Sequence, residues 1–432
     1  MDFSAQIYKL TDHLFRRESG KMVAVLTKIF GAENLEMAED VVQQSFIEAM
    51  NHWKLKGIPD NPSAWLYRVA KNKAIDVIRK NKYSRAYDFT DPERKLLTSE
   101  YTLAPAMEEW WKEEWINDDM LRMMYACCHP GISVENQITL ILKTICGFST
   151  AEIAKTFLTS EDTISKRLYR TREYFRKEKL KLEIPSLNEL KSRTDAVLHS
   201  IYLLFNEGYN STQNADLIRE DLIQDAMMMC KLLSENPHTQ LPEVFALLAL
   251  ICFHSARSQS RLNVKGNIIL LRDQDRSLWN RDLIAMGNDY MNKSIPTNET
   301  GKYEISTYHL ESAIAYEHCV ADSFQKTNWE RIFDLYSWLE KIAPSSIVQL
   351  NKATALFQWK GADDALSNLA KSDTSGLESY YLYSALLGDI YAQKQMPQQA
   401  ITYYQNAISL THSMQEKNLL SSKIEDLEKL NH

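Results

Sequence analysis

Residues 147–178, GFSTAEIAKTFLTSEDTISKRLYRTREYFRKE, hold two short helical patterns separated by a polar turn. Ser149 or Thr150 can cap the first helix and Ser160 the second, because their side-chain oxygens accept hydrogen bonds from free backbone N–H groups. The small Ala154 permits a close helix crossing. The segment therefore predicts a helix-turn-helix. The apolar positions that would join its two helices are Ile153, Ala154, Phe157, Ile164, Leu168 and Phe175.

The rest of the chain favours helices as well. Glycine and proline number only 12 and 11 among 432 residues, which is well below the roughly 7% and 5% of average proteins. Leu, Ile, Ala, Lys, Glu and Gln recur throughout. With 44% apolar residues, the chain can fill ordinary cores, and its length allows about two to four domains. We therefore predict an all-α fold with short loops.

The cysteines and the first residues bear on the compartment. All six cysteines fall in apolar, helical runs without the spacing of a disulfide framework. The opening MDFSAQIYKL lacks the charged and then apolar layout of a signal peptide. No window reaches about 18 uninterrupted apolar residues. We expect a cytoplasmic protein with reduced thiols and no membrane span.

The net charge of −7 is unevenly distributed. Residues 1–184 hold 28 Lys and Arg against 27 Asp and Glu, and the remainder holds 22 against 30. Basic residues cluster over 65–85, opposed by Asp76 alone, and over 165–181, where eight face two glutamates. An isolated run of this kind is usually a solvated helix face. Two such runs with interleaved aromatic residues favour contact with a polyanion, and the second run coincides with the helix that would enter a DNA major groove.

The patterning divides the chain into four parts. Residues 1–85 are predicted to be helical and to end in the first basic helix, which turn and cap residues start near Ser63. Residues 86–117 are acidic and aromatic without sustained periodicity, which indicates a linker. Helical patterns resume over 118–184, the part with the helix-turn-helix, and continue over 190–432.

Two motifs in order carry a resemblance to a known family. The segment AEDVVQQSFIEAMNHWKLKGIPDNPSAWLYRVAKNKAIDVIRKNK resembles region 2 of the extracytoplasmic-function type of bacterial RNA polymerase sigma factor, and the helix-turn-helix resembles region 4. The resemblance covers about 180 residues. The longer form, with YACCHPGIS, LLFNEGYN and LRDQDRSLWNRDLI, is similar to the subgroup with a C-terminal tetratricopeptide-like extension. It implies two small helical domains that bind core polymerase and promoter DNA.

The first set of candidate residues lies in AEDVVQQSF. Asp40, Gln43, Gln44 and Ile47 fall at i, i+3, i+4 and i+7, which is one helix face. The resemblance implies that this face docks on the clamp helices of the largest polymerase subunit. Without the rest of the motif, a solvated polar face would be the simpler interpretation.

A second set lies on or beside the basic helix of region 2. The resemblance implies that this helix and the preceding loop GIPDNPS bind the minus-ten element and hold a base extruded from the opened strand. Basic side chains follow phosphates, while Asn or backbone groups can read an exposed base edge. Trp65 is the weakest candidate, because a tryptophan after a turn more often belongs to a core. The candidates are Trp65, Arg68, Lys71, Asn72 and Arg79.

A third set lies in the second helix of the helix-turn-helix. The resemblance implies that this helix binds the minus-35 element. Arg167 and Arg170 cannot both be assigned to bases from the sequence, and phosphate contact is the commoner fate of a basic residue here. The candidates are Ser160, Thr163, Lys166, Arg167 and Arg170.

The segment MMYACCHPGIS raises the question of a metal or redox site. Cys127, Cys128 and His129 are three adjacent donors, which cannot close a tetrahedral site, and no second cluster completes it. We expect both cysteines to pack in the first helix of region 4. No Gly-rich phosphate loop, G-x-S-x-G elbow or H-E-x-x-H is present either. We therefore expect no metal, no cofactor, no catalytic residues and no enzymatic activity.

The C-terminal part carries a repeat pattern from about residue 310. In ALLGDIYAQKQMPQQAITYYQNAISL, small and aromatic residues stand at the tetratricopeptide spacing. Ala365 and Ala400 mark an upstream copy 35 residues earlier, and a fainter copy precedes it. An unrelated helical bundle remains open for residues 190–290. Stacked repeats form a concave surface, so we expect a protein or peptide partner there.

The sequence thus predicts a sigma factor that directs promoter-specific transcription initiation, with its extension regulating it in cis. Its partners would be core RNA polymerase and promoter DNA. One alternative is a helix-turn-helix activator or repressor with a tetratricopeptide-like binding domain, which would not need the Asp40 face. A tetratricopeptide scaffold with incidental basic helices is another.

Overall fold

The computed structural model describes residues 3–81, 109, 111–157, 159–209, 218–263, 266–295, 305–371 and 376–430. The predicted all-α fold is confirmed: the described residues form eighteen α-helices joined by short turns and 3-10 segments. Within those residues, β structure is limited to one antiparallel bridge between Leu262 and Ile268. The described helices include none that is long and apolar enough to cross a membrane. The linker predicted over 86–117 falls mostly outside the described residues.

The chain forms two compact units, which meet in sequence between Leu203 and Leu204. One helix, α8, begins in the first unit and ends in the second. The helices of the first unit are α1 (Phe3–Phe30), α2 (Leu35–Lys56), α3 (Pro62–Asn81), α4 (Glu113–Cys127), α5 (Val134–Thr144), α6 (Thr150–Thr156), α7 (Glu161–Glu178) and the first part of α8 (Leu187–Tyr209).

Helices α1–α3 form the region 2-like part. Trp53 of α2 is fully buried, and Leu66, Ala70 and Ala74 give α3 a buried stripe at helical spacing. Helix α3 begins at Pro62, where the missing proline N–H is harmless, and the Asn61 side chain accepts a hydrogen bond from the Ala64 backbone at 3.0 Å. Basic residues occupy the opposite face of α3, so one face of the helix packs in the core and the other presents positive charge to solvent.

The helix-turn-helix is formed by α6 and α7. Ser149 and Glu152 cap α6 reciprocally, and the Ser160 side chain accepts a hydrogen bond from the Thr163 backbone at the start of α7. The predicted apolar seam is buried at Ile153, Ala154, Ile164, Leu168 and Phe175. Local capping and one apolar stripe thus fix the crossing of the two helices.

Helices α1–α3 pack directly on the helices of the part predicted to be region 4-like. Gly20 of α1 faces the turn after α5, where a Cβ would overlap the carbonyl oxygen of Ile145. Across the turn, a Cβ on Gly147 would meet the Ser19 hydroxyl at 2.6 Å, and the Gly147 φ of +69° also favours glycine. Arg16 pairs with Glu152, and its guanidinium stacks on the Phe148 ring at 3.9 Å. Close backbone approach therefore holds these parts together.

The second unit contains the remaining helices. Helices α16 and α17 pack closely because Gly388 leaves room for the Tyr404 ring. Ala365 and Ala400, the predicted repeat positions, are fully buried. The helices are the rest of α8, α9 (Glu220–Glu235), α10 (Pro242–Ser255), α11 (Arg281–Lys293), α12 (Thr307–Val320), α13 (Trp329–Ile342), α14 (Ser346–Lys360), α15 (Ala362–Leu369), α16 (Tyr381–Gln393), α17 (Pro397–Leu410) and α18 (Met414–Leu430).

Candidate nucleic-acid interface

The candidate residues of α3 lie on and beside one solvent-facing strip. Arg68, Asn72 and Arg79 are exposed and follow helical spacing, and Lys71 is half-buried beside them. Trp65 points the other way: its ring contacts Trp53 at 5.6 Å and His52 at 5.3 Å between centroids. The strip can therefore track a phosphate backbone, with Asn72 offering an amide between two guanidinium groups.

The candidate residues of α2 are all exposed and share one face. Asp40, Gln43, Gln44 and Ile47 stand outside the core that Val41, Val42 and Phe46 build on the opposite face. Ile47 is 58% exposed and Leu55, two turns on, is 86% exposed. An open cavity of about 520 Å³ runs along this stretch of α2, bounded by Lys73 of α3. Exposed aliphatic residues within a polar rim suit a docking partner better than solvent.

The candidate residues of α7 differ in their surroundings. Ser160 caps the helix, and Lys166 is exposed and pairs with Asp162 at 2.6 Å. Arg167 is half-buried, 3.2 Å from Glu135 and over the Phe157 ring at 5.7 Å. Arg170 is exposed, one turn beyond Lys166. The exposed side chains of Lys166 and Arg170 can rearrange toward DNA. Arg167 could do so only by breaking its contacts with Glu135 and Phe157.

A second row of arginines on α7 faces α2, and sequence reasoning missed it. Arg172 pairs with Glu39 and lies 3.6 Å from Glu36, and Arg176 lies 3.2 Å from Glu36. The spacing of the arginines could have indicated this second row. Arg172 and Arg176 are four residues apart and so share a helix face, and Arg172 is two residues from Arg170 and so lies on a different face from it. These ion pairs hold α7 against α2.

Helices α2 and α7 enclose a polar cavity of about 400 Å³. Asp40 and Gln43 line it from α2, while Ser165 and Arg172 line it from α7. Glu39 at its floor is nearly buried, and this burial raises its pKa against the opposing charges of Arg172 and Lys143. Half of the candidate polymerase face therefore borders the helix-turn-helix, while Gln44 and Ile47 face outward.

A buried acid joins α1 to α4. The Lys28 ammonium lies 3.2 Å from Asp119 Oδ1, but neither carboxylate oxygen accepts a well-formed hydrogen bond. Burial raises the pKa of Asp119 to about 7, and Lys28 opposes that rise. The carboxyl thus changes charge near neutral pH within the packed first unit.

The cysteine pair lies in the core. Cys127 ends α4, Cys128 follows it, and both are fully buried; the Cys128 thiol lies 3.6 Å from the Ser200 hydroxyl of α8. Burial raises the pKa of the Cys128 thiol to about 12. The His129 ring instead meets Tyr174, with Nδ1 3.2 Å from the hydroxyl. Over the described stretches of the chain, no group of three or more His, Cys, Asp or Glu side chains is arranged to hold a metal ion.

Three family models match the chain. Sigma-70 region 2 matches residues 14–83, a family of unknown function matches residues 193–295, and a tetratricopeptide repeat-like domain matches residues 339–429. The first match contains α2, α3 and both of their candidate sets. The third contains the buried repeat alanines.

Two relatives show the extent of the similarity. An uncharacterized protein of Rhizobium meliloti (strain 1021) is 30% identical over 394 residues, which is 91% of this chain and 90% of that protein. The ECF RNA polymerase sigma factor SigL of Mycobacterium tuberculosis (strain H37Rv) is 29% identical over 133 residues, which is 31% of this chain and 68% of that protein. No solved structure matches the chain significantly.

Proposed function

We propose that the chain directs core RNA polymerase to particular promoters and that its C-terminal extension regulates this activity in cis. The proposal proceeds from the family: the chain belongs to the sigma-70 family, as an extracytoplasmic-function type sigma factor with a tetratricopeptide-like extension. The observation that carries the first part is the surface of α2 and α3. An exposed polar and aliphatic face on α2 adjoins an exposed basic strip on α3, inside the span that matches sigma-70 region 2. Polymerase would take the first and the minus-ten element the second. The protein would then act in the cytoplasm, where polymerase transcribes.

The packed first unit supports a regulated rather than a constitutive factor. The minus-ten and minus-35 elements are separated by about 25 base pairs, or about 85 Å of B-DNA. The Arg172–Glu39 pair instead holds α7 in direct contact with α2. We infer that one unit packed in this way is too compact to contact both elements at once. Helices α1–α3 must separate from α4–α7 before promoter recognition, which would also clear Asp40 and Gln43.

The extension is connected to the first unit through α8, so it can influence the separation of α1–α3 from α4–α7. The Arg193 guanidinium of α8 donates to the Tyr125 carbonyl of α4 at 2.7 Å, and Thr194 and Tyr125 share a hydrogen bond of 2.7 Å. The same helix ends at Tyr209 in the second unit. A change in the extension would therefore act on the region 4-like part through α8. A protein or peptide partner on the repeat surface would be one source of such a change.

Run-off transcription with core polymerase tests the proposal. The protein should give promoter-specific transcripts, and Asp40→Ala combined with Gln43→Ala should weaken core binding without altering helical circular dichroism. Asp334→Ala is a control, because this exposed acid lies in the second unit on α13. DNA binding without core-dependent transcripts would contradict the proposal and favour an activator or repressor.

A further inference from the structure

Two arginines of the second unit, Arg257 and Arg276, lie near the Trp279 ring, and a third, Arg261, interacts electrostatically with Arg257 and stacks on Tyr209 at 3.9 Å. Arg257 follows α10, Arg261 stands four residues later, and Arg276 and Trp279 belong to the short segment before α11. The Arg276 guanidinium lies 4.3 Å from the centre of the Trp279 ring and that of Arg257 lies 5.8 Å from it. We call these four residues the arginine cluster. All four fall in residues 193–295, which match a family of unknown function.

Arg257 is buried without a charged partner. Its side chain belongs to a residue only 8% exposed. Nη2 donates to the Tyr209 hydroxyl at 3.0 Å and lies 3.4 Å from His254 Nδ1, and Nε has no partner at all. A guanidinium normally enters a protein interior with a carboxylate or phosphate on its donor fork. Here the contacts are a neutral hydroxyl and an imidazole.

Arg276 repeats the pattern. Nη1 donates to the carbonyl oxygens of His318 and Ala321 at 2.8 and 2.6 Å, while the buried Nη2 has no partner. Nδ1 of His318 is also buried and unpartnered. Asp322 favours the charge of Arg276 but is itself exposed and pairs with Lys326 at 3.0 Å. Asp275, the acid next to Arg276 in sequence, is also exposed and accepts a hydrogen bond from the Ser277 backbone at 2.8 Å, so both acids are engaged elsewhere.

The neighbouring histidines, His254 and His318, neither add to the positive charge of the arginines nor supply a counter-charge. Burial and the nearby arginines lower the pKa of His318 to about 3 and that of His254 well below its ordinary range, so both rings are neutral. Arg257 therefore keeps its positive charge in a buried environment, with the half-buried Arg276 beside it. Burying such charge without a counter-ion costs several kcal/mol. Two buried N–H donors without partners, from Arg257 and Arg276, and the unpartnered His318 ring nitrogen add to that cost.

We propose that the arginine cluster is the binding site for a small oxyanion, a metabolite bearing a phosphate or carboxylate group. Guanidinium forks match the planar or tetrahedral oxygens of such groups bidentately, and the buried Trp279 ring, near both Arg257 and Arg276, supplies an apolar wall. The burial of Arg257 excludes a nucleic-acid backbone or a protein surface, because neither can enter around a side chain so little exposed. The site gives the extension a chemical signal to respond to. It stands whether or not the chain initiates transcription.

Titration of the full chain tests the site directly. Inorganic phosphate and succinate would each be added at constant ionic strength, with sodium chloride as the balancing salt. We expect saturable heat in isothermal titration for one of the two anions, and a rise in Tm of about 5 °C at a hundredfold excess over Kd. The responding probe identifies the group as phosphate or carboxylate. If neither anion binds at 10 mM (about the weakest useful affinity, roughly 3 kcal/mol), the proposal is wrong.

Variants assign the binding to this cluster. Arg257→Gln and Arg276→Gln should each weaken binding at least tenfold, while Arg281→Gln, which removes one positive charge from an exposed neighbour, should not. Arg276 is half-buried, so its variant decides the matter if Arg257→Gln does not fold. The anion should also change tryptophan fluorescence in the wild type but not in Trp279→Phe. Unchanged affinity in both arginine variants would overturn the assignment.

Discussion

At the residue scale, neighbouring arginines on α7 have different surroundings. Arg170 is exposed, whereas the side chain of Arg172 is 17% exposed and pairs with Glu39. Arg170→Ala should therefore leave stability unchanged and lower promoter affinity. If the side chain reads a base the loss is about 1–3 kcal/mol with relaxed preference, and if it binds phosphate the salt slope falls by about one. Fluorescence anisotropy over a salt series separates the two.

Arg172→Ala should instead destabilise the first unit. Removing one partner leaves Glu39 buried without its counter-charge, which costs about 2–3 kcal/mol for a mostly buried pair. Urea unfolding followed by circular dichroism measures the loss, with Arg170→Ala as the matched control on the same helix. Equal unfolding midpoints for the two variants would show that the Arg172–Glu39 pair contributes nothing.

Asp119 gives the first unit a pH dependence. Its pKa is raised from 3.8 to about 7, so the folded state holds a proton that the unfolded state releases at lower pH. Stability from this group is present below about pH 4 and is lost as pH rises through 7. Asp119→Asn should therefore raise Tm more at pH 8 than at pH 5. A stabilisation of the same size at both pH values would contradict the raised pKa.

Much of this residue-level arrangement was within reach of the sequence, and some was not. Capping at Ser149 and Ser160 and the exposure of Asp40, Asn72 and Arg170 follow from local spacing. The pairing of Arg172 with Glu39 joins residues 133 apart, and nothing local specifies it. Long-range pairing depends on which surfaces meet after folding, and a single sequence does not encode that in any short pattern.

At the scale of elements, the first unit should exist in a packed and an open state. Gly20 sets the close approach of α1 to the turn after α5, because a Cβ there would overlap Ile145. Gly20→Ala should therefore shift the population toward the open state and strengthen binding to core polymerase. Arg17→Ala, an exposed change on the same helix, is the control.

A distance measurement reports the opening. All six cysteines are buried, so Asp12→Cys and Lys177→Cys at exposed sites can be labelled selectively on α1 and α7. Energy transfer between the labels should be high in the free protein, lower in Gly20→Ala, and lost on a promoter complex, where the two recognition sites are about 85 Å apart. Unchanged transfer on the promoter complex would refute the need for opening.

At the scale of the whole molecule, the extension should alter transcription by the first unit. A fragment ending at Leu203 keeps the contacts of α8 with Tyr125 and Cys128, which a fragment ending at Ile184 would lose. Promoter-dependent transcription by fragment 1–203 should differ clearly from that of the full chain. Equal activity, with and without cell extract as a source of partner, would leave the extension as a separate binding module.

Helix α8 also limits how such proteins can be recombined. Domain exchange succeeds at exposed joints where few contacts cross, and residues 187–209 are one continuous helix that contributes to both units. In a chimaera joined inside this helix, each half of α8 would come from a different parent, and the two halves would not match each other. Viable exchanges, in the laboratory or in lineages, should carry α8 whole, so that an extension is inherited together with the helix on which its sigma domain rests.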